Sequence, residues 1–157
     1  MTDRLNHQVL VYAPEGDMLY SFGRAGSGAG HLNRPTGIAY DPLRDRVLVT
    51  DKDNHRVQVF TPQGQFITQF GSRGKRDGQF LYPWGIALSR CGTLIVIADS
   101  RNHRLQLFTS NGHFVKSFLG FEYPRGVAFS LNGKSTYTPL STSDHLGPPT
   151  INMTLSY

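Results

Sequence analysis

Two ten-residue stretches decide the fold: DKDNHRVQVF (residues 51–60) and DSRNHRLQLF (residues 99–108). A third, DRLNHQVLVY (residues 3–12), precedes them, and the offset is 48 residues both times. The match continues outward from each. APEGDMLYSFG (13–23), TPQGQFITQFG (61–71) and TSNGHFVKSFLG (109–120) occupy the same slot. Then come RPTGIA (34–39), YPWGIA (82–87) and YPRGVA (123–128). The last follows its predecessor after 41 residues, because the loop before it is shorter by seven.

Each unit reads as four short strands. The PxG-[IV]-A phrase opens the first, and RVLVTD (46–51) and TLIVIAD (93–99) form the second. HRVQVF and HRLQLF alternate apolar and polar residues, the period of a half-buried strand. QFITQFG and HFVKSFLG supply the fourth. Gly64 and Gly112 fall in the turns before it, where a positive φ is expected. No stretch of twelve residues gathers its apolar groups on one helical face. Four-stranded units at a period of 40–50 residues indicate an all-β protein made of β-propeller blades. We expect an incomplete propeller of about 2–3 blades over residues 1–133, with antiparallel four-stranded sheets and units beginning near residues 3, 34, 82 and 123. The first unit lacks its first half. After Asn132 and Gly133 the pattern calls for another strand ending in Asp; residues 134–157 are instead rich in Ser, Thr and Pro, and are expected to be disordered or loosely docked.

Composition excludes several classes. The 157 residues hold 16 Lys and Arg against 11 Asp and Glu, a formal net charge of +5. Hydrophobic residues make up 38%, enough for a packed core. The longest apolar run, residues 94–98, falls far short of the roughly 20 residues that span a bilayer, so no membrane is expected. The N-terminal MTDRLNHQ shows no secretory h-region. A single cysteine, Cys91, forbids an intrachain disulfide and a cysteine zinc cluster. A reducing, cytoplasmic setting is the simplest expectation.

The DxxNHR-[VL]-Q-[VL]-F core, followed by GxF, FG, GQF and PxG, resembles the NHL repeat. DKDNHRVQVF, DGQFLYPWGIA and DSRNHRLQLF are similar to phrases of the TRIM-NHL family, in its Brat-like, stem-loop-binding branch. The resemblance covers residues 3–133, with Gln8 departing from the Arg of the other units. It implies a parent propeller of six blades, of which this chain is about half. It also implies an RNA-binding face, with Arg34, Thr36, Lys52, Arg73, Tyr82, Trp84, Arg101 and Arg125 as the matching positions; Lys75 and Arg76 share the loop of Arg73. The sequence carries no RING, B-box or coiled coil, so the family's ubiquitin-ligase activity is not expected of this segment, nor any other enzymatic activity.

Strand alternation places the charges. In an antiparallel meander, the loops after the second and fourth strands share one end of the blade. That end receives 11 cations against 6 carboxylates, nearly the whole net charge. Tyr82, Trp84 and Tyr123 join them in or beside the PxG phrases. Cations among aromatic rings suit RNA, since phosphates meet charge and unpaired bases stack. Trp84 fits core packing as well as base stacking.

Residues that recur in every unit fit blade construction better than ligand reading. These are Asp51, Asn54, His55 and Arg56, with Asp99, Asn102, His103 and Arg104. Buried carboxylates need partners, so Asp51 and Asp99 are expected to pair with the His or Arg of their own blade. Residues that vary, such as Lys52 and Arg101 or Trp84 and Arg125, are the candidates for specificity. His7, His55 and His103 sit in separate blades and do not converge, so no metal or cofactor is expected. The expected partner is RNA of mRNA 3′ untranslated regions, bound by a post-transcriptional repressor. The alternative is a protein-interaction platform that recruits substrates to a ubiquitin ligase. Open blade faces add the expectation of self-association.

Overall fold

The structure, a computed structural model, describes residues 1–129 and 135–138. They form four consecutive antiparallel sheets. The first holds β1 (Thr2–Asp3), β2 (Gln8–Tyr12) and β3 (Met18–Phe22). The second is a complete blade of β4 (Ile38–Asp41), β5 (Arg46–Asp51), β6 (Arg56–Phe60) and β7 (Phe66–Phe70). The third repeats it with β8 (Pro83–Leu88), β9 (Leu94–Asp99), β10 (Arg104–Thr109) and β11 (Phe114–Leu119). The fourth pairs β12 (Gly126–Phe129) with β13 (Ser135–Thr138). These are blades of a β-propeller, and the helical content among the described residues is two 3₁₀ turns, Lys52–Asn54 and Ser100–Asn102. The fourth unit therefore runs past the boundary expected at 133, because Ser135–Thr138 pairs along the whole of β12. The reading of residues 139–157 as a disordered tail lies outside the described residues.

The register explains the sequence period. In the second blade Val47 faces Phe60 and Asp51 faces Arg56; in the third Asp99 faces Arg104. Alternate side chains point to opposite faces of each sheet, and both faces are apolar because a blade is covered on both sides. The core consequently lies between blades. Val9, Leu32, Val49 and Phe60 fill the first gap. Leu48, Val57, Val59, Phe80, Ile86, Ile95, Ile97 and Phe108 fill the second. Val96, Ala98, Leu105, Leu107 and Phe121 fill the third. Each of the larger side chains contributes about 1.5–3 kcal/mol when it leaves water, and a neighbouring blade lets it do so.

The turn glycines serve that packing. Gly64 (φ 87°) and Gly112 (φ 82°) occupy left-handed conformations between the third and fourth strands, as the sequence reading expects. They also sit against the preceding blade. A Cβ on Gly64 would come within 2.4 Å of Phe22, and one on Gly112 within 2.8 Å of Phe70.

The first strands of neighbouring units touch: β4 packs on β8, and β8 on β12. They line the common axis, and the loops that enter them surround one mouth of it.

Candidate functional site

The mouth is organised by two buried carboxylates. Asp51 accepts hydrogen bonds from Asn33 N (2.6 Å), Asn54 Nδ2 (2.9 Å), Arg56 Nε (2.8 Å) and Gln58 Nε2 (3.0 Å). Asp99 accepts the equivalent set from Leu81 N (2.7 Å), Asn102 Nδ2 (2.8 Å), Arg104 Nε (2.8 Å) and Gln106 Nε2 (3.0 Å). The partners reach on into the loop that precedes the blade. Asn54 donates to Gly26 O and Arg56 to Gly28 O; Asn102 donates to Gly74 O and Arg104 to Arg76 O. The DxxNHRxQ phrase thus encodes one clamp, which fixes a long glycine-rich loop against the blade.

The expectation that Asp51 and Asp99 pair with Arg of their own blade holds; the histidines do something else. Each closes the helical turn in a left-handed conformation, with φ of 57° at His55 and 54° at His103. Its ring then reaches the next unit. His55 Nδ1 accepts from Tyr82 N at 3.1 Å, His7 Nδ1 from Arg34 N at 3.1 Å, and His103 Nδ1 from Tyr123 N at 3.5 Å. The His55 and His103 rings also meet Tyr82 and Tyr123 edge to face, at 4.6 and 4.4 Å. The three receiving residues precede the PxG prolines and share positive φ values of 49°, 55° and 43°. The histidine therefore sets the angle at which the next unit enters the mouth. Burial first, and then the Arg73 charge, hold the His55 imidazolium below the usual histidine range.

The glycine of PxG permits the next close approach. A Cβ on Gly37 would lie 2.4 Å from Trp84 O, and one on Gly85 would lie 2.2 Å from Arg125 O. Two hydroxyls complete the contact: Thr50 Oγ1 donates to Trp84 O at 2.6 Å, and Thr36 Oγ1 to the same oxygen at 3.1 Å.

Above this frame is an open depression of about 540 Å³, lined by Arg34, Lys52, Asp53, Tyr82, Trp84, Ser100, Arg101, Tyr123 and Arg125. Cations and rings alternate around it. Lys52 Nζ lies 5.3 Å from the Tyr82 ring and 5.7 Å from Trp84. The Arg101 guanidinium lies 6.0 Å from Tyr82 and 5.7 Å from Tyr123. Arg125 stacks 4.5 Å from Trp84. Four cations thus face one carboxylate, Asp53, which pairs with Lys52 and, at 3.7 Å, with Arg34.

The structure gathers Arg34, Lys52, Tyr82, Trp84, Arg101 and Arg125 from the sequence-derived set. It leaves Lys75 and Arg76 outside the depression, exposed in the loop that Arg104 clamps. Arg73, in the same loop, is exposed and close enough to His55 to act on its charge. The Thr36 hydroxyl is committed to the blade contact and bonds Thr50 and the Trp84 carbonyl. Trp84 lines the depression on a half-buried strand. Sequence reasoning treated Lys52 and Arg101 as counterparts, but the helical turns align Lys52 with Ser100 and Asp53 with Arg101. It also left out Asp53 and Tyr123 as site residues. The repeat offset carries the signal for Asp53, since its counterpart is an arginine.

The family model for the NHL repeat matches residues 32–60 and 80–108. Each match begins at the end of the clamped loop and runs through the third strand of its blade, so the NHL phrase coincides with the clamp. No curated protein matches the chain. Solved structures share the fold. One is the nidogen/laminin complex, with TM-score 0.69 and 23% identity over 87% of this chain and 49% of that one. Another is a catalytically inactive virginiamycin B lyase from Staphylococcus aureus with quinupristin, with TM-score 0.66 and 15% identity over 87% and 43%. The hydrazine synthase of Kuenenia stuttgartiensis gives TM-score 0.67 and 19% identity over 86% and 36%. The chain therefore spans less than half the length of each.

The opposite end of the blades is built differently. Asp41 is buried and accepts from Arg46 Nε (3.0 Å) and Arg44 Nη1 (3.2 Å); burial raises its carboxyl, and those bonds outweigh it and leave it below the ordinary value. Arg44 goes on to Gly92 O and Arg46 to Ser110 O, both in the next blade. Cys91 is exposed there, and the Ser89 and Thr93 hydroxyls bring its thiol down to about 7. Among the described residues, no three His, Cys, Asp or Glu side chains converge as a metal site requires, and no helix is long and apolar enough to cross a membrane.

Proposed function

We propose that the cationic mouth binds RNA, and that the chain is the RNA-binding module of a TRIM-NHL-like post-transcriptional repressor acting on 3′ untranslated regions in the cytoplasm. One observation carries this reading: Lys52, Arg101 and Arg125 alternate with Tyr82, Trp84 and Tyr123 around one open depression. Guanidinium and ammonium groups meet phosphates, while aromatic and guanidinium planes stack on unpaired bases. The openness of the site favours an extended strand over an enclosed small molecule.

The test is fluorescence anisotropy with labelled single-stranded and stem-loop RNA, titrated across salt. Neutralising Z phosphates lowers log K by about 0.7Z per decade of salt for single strands. We expect a steep slope, which Arg125→Glu and Lys52→Glu reduce. Arg90→Glu, exposed at the other end, leaves it unchanged. Arg44 is a poor control, because it holds Asp41 and Gly92 O. Absence of RNA binding at low salt ends this reading. It would then favour the alternative, a protein-interaction platform recruiting substrates to a ubiquitin ligase.

A further inference from the structure

We propose that Asp53 and Lys52 together read guanine: they take the Watson–Crick edge of one unpaired guanine in the bound strand. This rests on the RNA-binding reading of the same depression and names the base which that reading leaves open. A carboxylate repels phosphate, yet Asp53 lines the depression among Arg34, Lys52 and Arg101.

The fold does not ask for it there. Asp53 and Arg101 hold equivalent places in the two 3₁₀ turns. Their backbone N–H groups do the same work: Asp53 N donates to Asn33 O and Arg101 N to Leu81 O, both at 3.0 Å. The side chains share no task, and at the 48-residue spacing the position holds Leu5, Asp53 and Arg101. Lys52, the ion-pair partner of Asp53, aligns with Ser100, so the pair as a whole is particular to this blade. Blade construction leaves the pair unexplained, and its place at the mouth points to a ligand.

What the pair can bind follows from its atoms. Lys52 Nζ donates to Asp53 Oδ1, while Arg34 Nη1 stands 3.7 Å from Oδ2, beyond hydrogen-bond length. A carboxylate has about four acceptor positions and an ammonium three donors, so both oxygens and the ammonium keep capacity for a ligand. In order, Oδ2, Oδ1 and Nζ present acceptor, acceptor and donor. Guanine carries the complement along its Watson–Crick edge: N2–H and N1–H donate, and O6 beside them accepts. Adenine and cytosine each offer one amino donor next to a ring nitrogen that a carboxylate repels. Uracil offers a single N3–H between two carbonyls. Stacking planes stand beside the pair, with Lys52 Nζ 5.3 Å from the Tyr82 ring and 5.7 Å from Trp84. Aromatic faces accept any base; the edge contact supplies the choice. All of these groups lie in the two four-stranded blades or the loops that enter them.

The experiment is fluorescence anisotropy at low salt, with the full chain and short labelled oligouridines carrying G, A, C or U at the central position. We expect the guanine strand to bind about tenfold tighter than the other three, the discrimination of one bidentate base contact. Inosine, which lacks the N2 amino group, should lose most of that advantage; this comparison needs no variant and so stands apart from folding. Asp53→Asn should bring the guanine strand down to the level of the others, with circular dichroism unchanged. The other strands should bind as well or better, since a charge that repels phosphate is gone. Arg125→Ala should weaken all four strands alike and keep their ratio. Equal binding of the four strands by the native chain, an inosine strand as tight as the guanine strand, or a guanine preference that Asp53→Asn leaves in place overturns this proposal and leaves the RNA reading standing. No binding of any strand overturns both.

Discussion

Asp99 and Arg101 stand two residues apart, yet they belong to different kinds of structure. Asp99 is fully buried, and its bonds repeat those of Asp51 donor for donor. Arg101 is exposed at the mouth, and its counterpart in the previous blade is the acidic Asp53. The clamp is the same twice; the rim differs each time. Residues the repeat preserves are those each blade needs for its own loop. Residues it lets vary face outward, where a blade's position around the axis gives each a different task.

The largest expected effect tests the clamp. Asp99→Ala removes the acceptor of Leu81, Asn102, Arg104 and Gln106 and leaves the Arg104 charge buried. We expect a loss of about 3–5 kcal/mol in denaturant unfolding, against less than about 0.5 kcal/mol for Arg101→Ala. Comparable losses would erase the distinction between clamp and rim. Gly85→Ala comes next, because its Cβ meets backbone, Arg125 O at 2.2 Å, rather than a movable side chain. A cost of about 1–3 kcal/mol is expected, with weaker RNA binding as the Trp84–Arg125 stack shifts. A variant as stable as the parent would show that the PxG glycine is not a spacing device.

Arg125→Ala should do the reverse. It should weaken RNA binding by roughly tenfold, as loss of one stacked cation implies, while the melting temperature stays put. A drop in melting temperature with unchanged RNA affinity would place Arg125 with the clamp.

A subtler effect concerns the histidine that joins clamp to rim. His55 accepts from Tyr82 N, and burial holds its folded pKa below the ordinary histidine value of about 6.5. The unfolded chain then binds the proton more readily, so stability is full above about pH 6.5 and declines as pH falls from there toward the folded pKa. His55→Gln should flatten that decline in thermal melts at pH 5 to 8. An unchanged profile would mean that other groups carry it. The smallest effect leaves stability untouched: alkylation of Cys91 should rise with a midpoint near pH 7, the value its hydroxyl neighbours give it. A midpoint at the ordinary thiol value would show that Ser89 and Thr93 do not hold the thiolate.

The sequence by itself determined the strands, the blade period and the end that carries the charge. The 48-residue offset and the two-residue alternation are local properties of the chain, and Asp51–Arg56 and Asp99–Arg104 lie within one hairpin, where sequence spacing is spatial spacing. What lay between blades was not legible. That His55 serves Tyr82 and that Thr36 is consumed by the Trp84 carbonyl are facts of how one blade meets the next. Only the tertiary structure decided these, because each depends on atoms some thirty to fifty residues away brought together by apolar burial, which has no direction and leaves no local pattern in the chain.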